Sequence, residues 1–185
     1  MSTLFSYVVD HDHGFAPNPY NGICTLVHCK FRHTDGKRRN IVELAQKDDW
    51  ILGSGGASRQ SAGQNKIIYL MRVDEQLPFA DYLRDTRFNG RQDHYDGGYG
   101  NEFALVSHHY FYFGKNALSS SVLPPKIHVQ NLFKTEANYR RDLPDITDNA
   151  LISWFETTFE VGMHGDPCTS TDNSIQPRFR STTAI

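Results

Sequence analysis

"KIIYLMRV", residues 66–73, is apolar for five residues and flanked by charge, and it reads as the clearest strand of the chain. Upstream, "LFSYVV" at 4–9 is rich in β-branched and aromatic residues and predicts a first strand. Residues 10–22 predict a loop, because Pro17 and Pro19 lack amide donors and push their predecessors away from helical angles. Residues 23–31 predict a second extended segment, with Asp35-Gly36 as a hairpin turn after it. "KDDWILGSGG" then predicts a polar turn, a strand through Trp50, Ile51 and Leu52, and a flexible glycine-rich exit.

Downstream, Pro78 suits the first turn of a short helix running through Tyr82 and Leu83. Residues 84–101 are polar and glycine-rich and predict a long surface loop. "FALVSHHYFYF", 103–113, returns to strand and is closed by Gly114. Ile146, Leu151, Ile152, Phe155 and Phe159 recur at helical spacing and predict a C-terminal amphipathic helix. From Asp166 onward the chain has little to bury and is expected to fray. The sum is an α+β fold: one domain over 1–165 with a curled, mostly antiparallel mixed sheet resembling a small barrel, and a flexible tail over 166–185.

A length of 185 residues with 38% hydrophobic content suits one compact core. No apolar run approaches the ~20 residues a membrane helix needs, and "MSTLFSYVVDHDHG" meets charge too soon for a signal peptide. A soluble, cytoplasmic protein with no membrane partner is therefore expected. Three cysteines make no disulfide framework and suit a reducing compartment. The net charge of -2 argues against a protein that grips duplexes mainly by neutralising phosphates. Lys30, Arg32, Lys37, Arg38 and Arg39 still form a local basic stretch against Asp35 alone, either a solvated turn or a phosphate contact.

"HDHGFAPNPYNGICTLVHCK", 11–30, concentrates histidine, cysteine, proline and glycine. On a strand Cys24 and His28 share a face while Cys29 takes the other, and no second cysteine pair follows, so no metal site is expected. Packed thiols are the ordinary account of Cys24 and Cys29; nucleophilic catalysis would need a histidine that activates the thiol. "GSGGAS", 53–58, lacks the lysine-serine ending of a nucleotide-hydrolysing loop and reads as a strand connection. Trp50, three residues before it, offers a platform for a planar base. In "SHHYFYFGKNA", 107–117, alternation sets His108, Tyr110 and Tyr112 on one face and His109, Phe111 and Phe113 on the other, with Lys115 near for an anionic group. Core packing is the competing account of that strand.

Together, "YVVDHDHGFAPNPYNGICTLVHCK", "DDWILGSGG", "KIIYLMRVDEQLPFADYLRD" and "HHYFYFGKNA" resemble the nucleotide-modification-associated domain family of the second type, from bacteria and their phages. The likeness runs from Phe5 to Ala117. Its most specific pieces are HDxGFAPNP at 11–19 and YFGKNA at 112–117, and His13 departs from the smaller polar residue expected there. The family is tied to enzymes that make or process modified nucleic-acid bases, DNA modification among them, and it brings no reaction with it. A weaker likeness links the middle pattern to the base-binding barrels of pseudouridine-synthase and archaeosine-transglycosylase modules.

These resemblances imply a pocket for a nucleotide or for a flipped or single-stranded base. Its expected ligand-binding residues are Asn18, Tyr20, Trp50, Gly53, Ser54, Gly55, His109, Tyr112 and Lys115, with no cofactor. Stacking falls to Trp50 or Tyr112, and edge reading to Asn18 and His109. A second reading is an enzyme with His11 or His109 as general base and Asp12 as the orienting carboxylate. A third is a non-catalytic partner of a base-modifying enzyme.

Overall fold

The computed structural model describes residues 2–28, 31–34, 37–94, 103–127, 132–133, 139–140, 145–171 and 175–180. In chain order the strands and helices are β1 (Leu4–Val9), β2 (Cys24–Val27), β3 (Phe31–Thr34), β4 (Lys37–Asn40), α1 (Ile41–Leu44), β5 (Trp50–Gly55), β6 (Lys66–Arg72) and β7 (Glu75–Pro78). The second half follows with α2 (Phe79–Arg84), β8 (Phe103–Ser107), β9 (Tyr110–Tyr112), β10 (Leu118–Ser119), β11 (Tyr139–Arg140), α3 (Asp145–Thr158) and β12 (Gly162–Met163).

The main sheet has the order β11-β1-β5-β6-β9-β12, with β10 also on β6. Strands β1 and β5 run parallel, with Leu4 opposite Trp50 and Val9 opposite Gly55, and β9 and β12 are parallel too; the other ladders are antiparallel. The apolar run of β6 is explained by cover on both sides. Ile68, Tyr69 and Met71 enter one cluster with Cys24, Leu26 and Leu105, whereas Ile67 and Leu70 enter another with Leu151 and Phe155 of α3. A separate sheet, β2-β8-β7, covers the first face, and its own outer face packs Val27, Ala104 and Val106 against Phe79, Tyr82 and Phe88. The layers are thus α3, the main sheet, the small sheet, and α2 with its following turn. Truncating the fully buried Phe155 would cost about 3–5 kcal/mol.

The architecture is sheet-rich α+β in one small domain, and it corrects the barrel expectation. Among the described residues β11 and β12 are the ends of the main sheet and do not pair with each other. The reason lies in the strand expected over 103–113. It breaks at His108-His109, so that β8 pairs with β2 and β7 while β9 pairs with β6 and β12. A chain that changes sheet in mid-run builds two packed sheets instead of one closed one.

Three further differences have local causes. Asn21-Gly22 make a tight turn inside the expected loop: both have positive φ, Ile23 N–H donates to Tyr20 O, and Asn18 pairs with Thr25 across it. The polar segment after α2 is packed in its first half, where Asp85 caps the turn at Thr86–Phe88 and Phe88 and Asp93 are buried. Residues 166–171 are not a frayed tail, because Asp166 is buried and Cys168 and Thr169 bond to Asp12. Strands β3 and β4 form a hairpin that places Arg32 opposite Arg39 and His33 opposite Arg38, while Asp35-Gly36 lie outside the described residues. Arg39 is partly neutralised by Glu43 at 2.6 Å.

Candidate functional site

Because β1 and β5 are parallel, their C-terminal ends open in one direction, and the chain leaves β1 there at Asp10. A cleft of about 480 Å³ lies between the end of β1, at Tyr7 and Val9, and the following loop, with His11, His13 and Phe15 in its wall. The loop is extended enough that successive side chains point apart: His11 and His13 are exposed, whereas Asp12 between them is buried. The two imidazoles stack with centroids 6.1 Å apart and planes 7° from parallel. His13 Nδ1 is 2.9 Å from the Thr169 hydroxyl, which fixes that ring against the C-terminal segment.

Asp12 sits behind this wall. Its Oδ1 accepts from the Tyr112 hydroxyl at 2.6 Å and from Gly14 N–H at 3.4 Å, and its Oδ2 accepts from Cys168 N–H at 3.1 Å. Burial, then the Asp12 charge, holds the Tyr112 hydroxyl well above its ordinary range. The same two causes push the Cys168 thiol up to about 12. Burial also raises the Tyr20 hydroxyl, with Asp12 and Asp166 adding to it. Asp12 is therefore ringed by neutral donors and ties the loop to β9 and to residues 168–169. It does not orient His11, which corrects the expected general-base dyad; adjacent residues on an extended chain face opposite ways.

The remaining expected residues divide between places. Trp50 starts β5, at the end away from the cleft, and only 5% of it is exposed. Its indole meets His109 edge-on at 5.6 Å, in the cluster beneath α3. His109 Nε2 lies 3.3 Å from Glu156 Oε1, and burial first, then Arg72, holds its pKa below the ordinary value. Trp50 and His109 are thus on the opposite face of the main sheet from Asp12 and Tyr112, and the two sets do not form one pocket. Gly53, Ser54 and Gly55 are buried in β5 and do not make a flexible exit. Ser54 donates to Tyr7 O at 3.2 Å, and a Cβ on Gly53 would stand 2.1 Å from the Tyr69 ring. These residues are small because strands and rings close on them.

YFGKNA is likewise explained by backbone contact. A Cβ on Gly114 would meet Asp166 O at 2.0 Å, Lys115 N–H donates to that same carbonyl, and Asn116 Nδ2 donates to His164 O at 2.8 Å. Lys115 lines a polar depression of about 280 Å³ beside Asp166, which shares no lining residue with the cleft of His11 and His13.

Asn18 is committed to a buried network that sequence reasoning missed. Its Nδ2 donates to Asp93 Oδ1 at 2.9 Å, its Oδ1 accepts from Arg91 at 3.0 Å, and the Thr25 hydroxyl donates to Asp93 Oδ2. Arg91 also donates to the carbonyls of Tyr20 and Ile23, and its guanidinium lies 3.6 Å from Asp93 with both side chains almost wholly buried. Nothing in "FNGRQD" marks Arg91 and Asp93 as interior, since the segment has no hydrophobic period. Asn21-Gly22 is different: that dipeptide is itself a hairpin signal.

Cys24 is wholly buried, and burial drives its thiol far above the ordinary value, so it packs as a small apolar group. Cys29 lies outside the described residues. Among the described residues no three His, Cys, Asp or Glu side chains are grouped to hold a metal ion, and no helix is long and apolar enough to cross a membrane.

A family model for nucleotide modification associated domain 2 matches residues 1–102. The match takes in the cleft loop, Arg91 and Asp93, and stops short of Tyr112, YFGKNA and Cys168. No curated protein matches the chain. Among solved structures the crystal structure of ASCH from Zymomonas mobilis is similar at 12% sequence identity and a TM-score of 0.40, over 81% of this chain and 94% of that chain. A likeness so loose carries no argument about fold or ligand.

Proposed function

We propose that this chain, which belongs to the nucleotide modification associated domain 2 family, binds a nucleobase or nucleotide in the cleft at the end of β1. The observation that carries this reading is the wall of the cleft, two near-parallel imidazoles and Phe15 around a space of about 480 Å³. Flat rings at an open, partly apolar site suit a planar base, and each stacked base contributes about 1–3 kcal/mol. A free nucleotide or an unpaired base enters such a cleft, whereas a base inside an intact duplex does not. The overall charge of -2 agrees with recognition through the base more than through long runs of phosphate.

Binding is favoured over turnover by the state of the nearby groups. No described carboxylate bonds to His11, and burial keeps the Cys168 thiol protonated with its pKa pushed up to about 12. The site therefore offers contact surface and hydrogen bonds, without an assembled nucleophile.

The test is a thermal-stability panel of free nucleotides, modified nucleosides and short single-stranded oligonucleotides. A ligand at 100 times its dissociation constant stabilises by about 2.7 kcal/mol. Shifts confined to certain bases, and lost in His11→Ala combined with Phe15→Ala, are expected. No shift with any member would overturn the reading and point to a protein partner instead.

A further inference from the structure

The turn at Asn21-Gly22 and the segment 89–92 enclose a second depression, of about 310 Å³, which shares no lining residue with the cleft. The ring of Tyr20 stands at its side, 37% exposed. Its hydroxyl reaches towards the cleft loop, 2.9 Å from where a Cβ on Gly14 would be. Tyr20 therefore joins this hollow to the inner side of the loop whose outer side bears His11 and His13.

The lining is unusual in its chemistry. Arg91 lies within it, but its guanidinium is already engaged by the carbonyls of Asn18, Tyr20 and Ile23 and compensated by Asp93. A neutralised cation clamped to backbone is a poor phosphate site. Asn18 is likewise consumed by Arg91 and Asp93. What remains are three exposed carboxamides, Asn21, Asn89 and Gln92, whose side chains bond to no described residue. Each presents a donor and an acceptor side by side. No Asp or Glu lines the hollow among the described residues.

We infer that this depression is a second base subsite, in which Tyr20 stacks a nucleobase and Asn21, Asn89 and Gln92 read its hydrogen-bonding edge. The inference rests on the cleft reading above, and it assigns to these three amides the edge reading that Asn18 is not free to perform. Uncharged, paired donor–acceptor groups match a neutral planar edge, whereas an anionic ligand would want an uncompensated cation. The Arg91–Asp93 pair serves as the staple that holds the 18–25 hairpin and the 89–92 segment at a fixed separation. Two hollows on either side of one loop suit two bases of a single strand that runs over it.

The experiment is equilibrium binding of the four 5′-deoxymononucleotides and the sixteen deoxydinucleotides to the full chain. It compares wild type with a triple variant, Asn21→Gly, Asn89→Ala and Gln92→Ala; glycine at position 21 keeps the positive φ without strain. Dinucleotides should bind wild type more tightly than mononucleotides and spread about 5- to 150-fold with the base at one position, since a bidentate base contact discriminates by about 1–3 kcal/mol. The triple variant should collapse that spread while leaving mononucleotide affinity in place. Side-chain amide resonances of Asn21, Asn89 and Gln92 should shift with dinucleotides, a readout that needs no variant to fold. An unchanged spread in a folded triple variant, or unmoved amide resonances, overturns this inference and leaves the cleft reading standing. Dinucleotides no tighter than mononucleotides overturn it as well. Failure of every mononucleotide and dinucleotide to bind wild type overturns this inference, and the cleft reading falls with it when the modified nucleosides and oligonucleotides also give no shift.

Discussion

The Tyr112 hydroxyl donates to Asp12 Oδ1 across 2.6 Å, with both side chains buried and 100 positions apart in sequence. That bond fastens the loop bearing His11 and His13 to β9, and Cys168 N–H fastens the same carboxylate to the C-terminal segment.

Tyr112→Phe leaves a buried carboxylate short of one donor. The expected loss is about 1–3 kcal/mol, read from urea unfolding. Affinity for a mononucleotide should fall along with it, because the loop holding both imidazoles loosens. A variant as stable as wild type would show that Asp12 does not anchor the loop.

His164 makes stability depend on pH. Its Nε2–H donates to Glu160 O at 2.7 Å and its Nδ1 accepts from Arg178 N–H at 2.8 Å, so it is folded in as the neutral ring. Burial holds its pKa below the ordinary value, and the same is true of His109. The unfolded chain thus takes up protons first as pH falls. Stability should be level above the unfolded histidine value of about 6.5 and decline below it as pH falls towards the depressed folded value. Urea midpoints between pH 8 and 5 check this, and His164→Gln should flatten the decline. A wild-type midpoint that stays level down to pH 5 would sink the account.

Gly114 has φ +49, and a Cβ there would stand 2.0 Å from Asp166 O. Gly114→Ala is therefore expected to destabilise by about 1–3 kcal/mol or more, since backbone must move. Thermal midpoints would show it. If midpoints held and only ligand affinity changed, YFGKNA would be a contact motif and not a joint.

Trp50→Phe separates the two faces of the main sheet. It should lower stability, because the indole is packed on His109 under α3, and should leave nucleotide affinity in the folded protein unchanged. His11→Ala should do the reverse, weakening affinity by about 1–3 kcal/mol of stacking with little effect on unfolding. Equal losses of affinity in both would place the site elsewhere.

Much of the fold was legible locally. The strands at Leu4–Val9 and Lys66–Arg72, the first half of the strand at Trp50–Gly55 and the helix Phe79–Arg84 lie where apolar runs and Pro78 put them. These are decided by neighbours in sequence, so composition and period carry the information. The family likeness was also readable, because HDxGFAPNP is contiguous. The candidate site was only partly legible. His11 and Asp12 are adjacent, yet one faces the cleft and the other the interior, and Trp50 and His109 lie under α3 while Tyr112 lies on the other face.

What the sequence determined by itself is the strands through 4–9, 50–52 and 66–72, the α+β class, the loop that leaves the first strand at Asp10 and the kind of chemistry available in it. Tertiary structure alone decided that the run at 103–113 divides between two sheets, that Arg91 and Asp93 are interior, and that Asp12 belongs to Tyr112 and Cys168. The physical reason is range. A strand's period comes from residues two apart, whereas the buried Asp93 and Asp12 take hydrogen bonds from partners 75 to 156 positions away, Asn18 for the one and Tyr112 and Cys168 for the other.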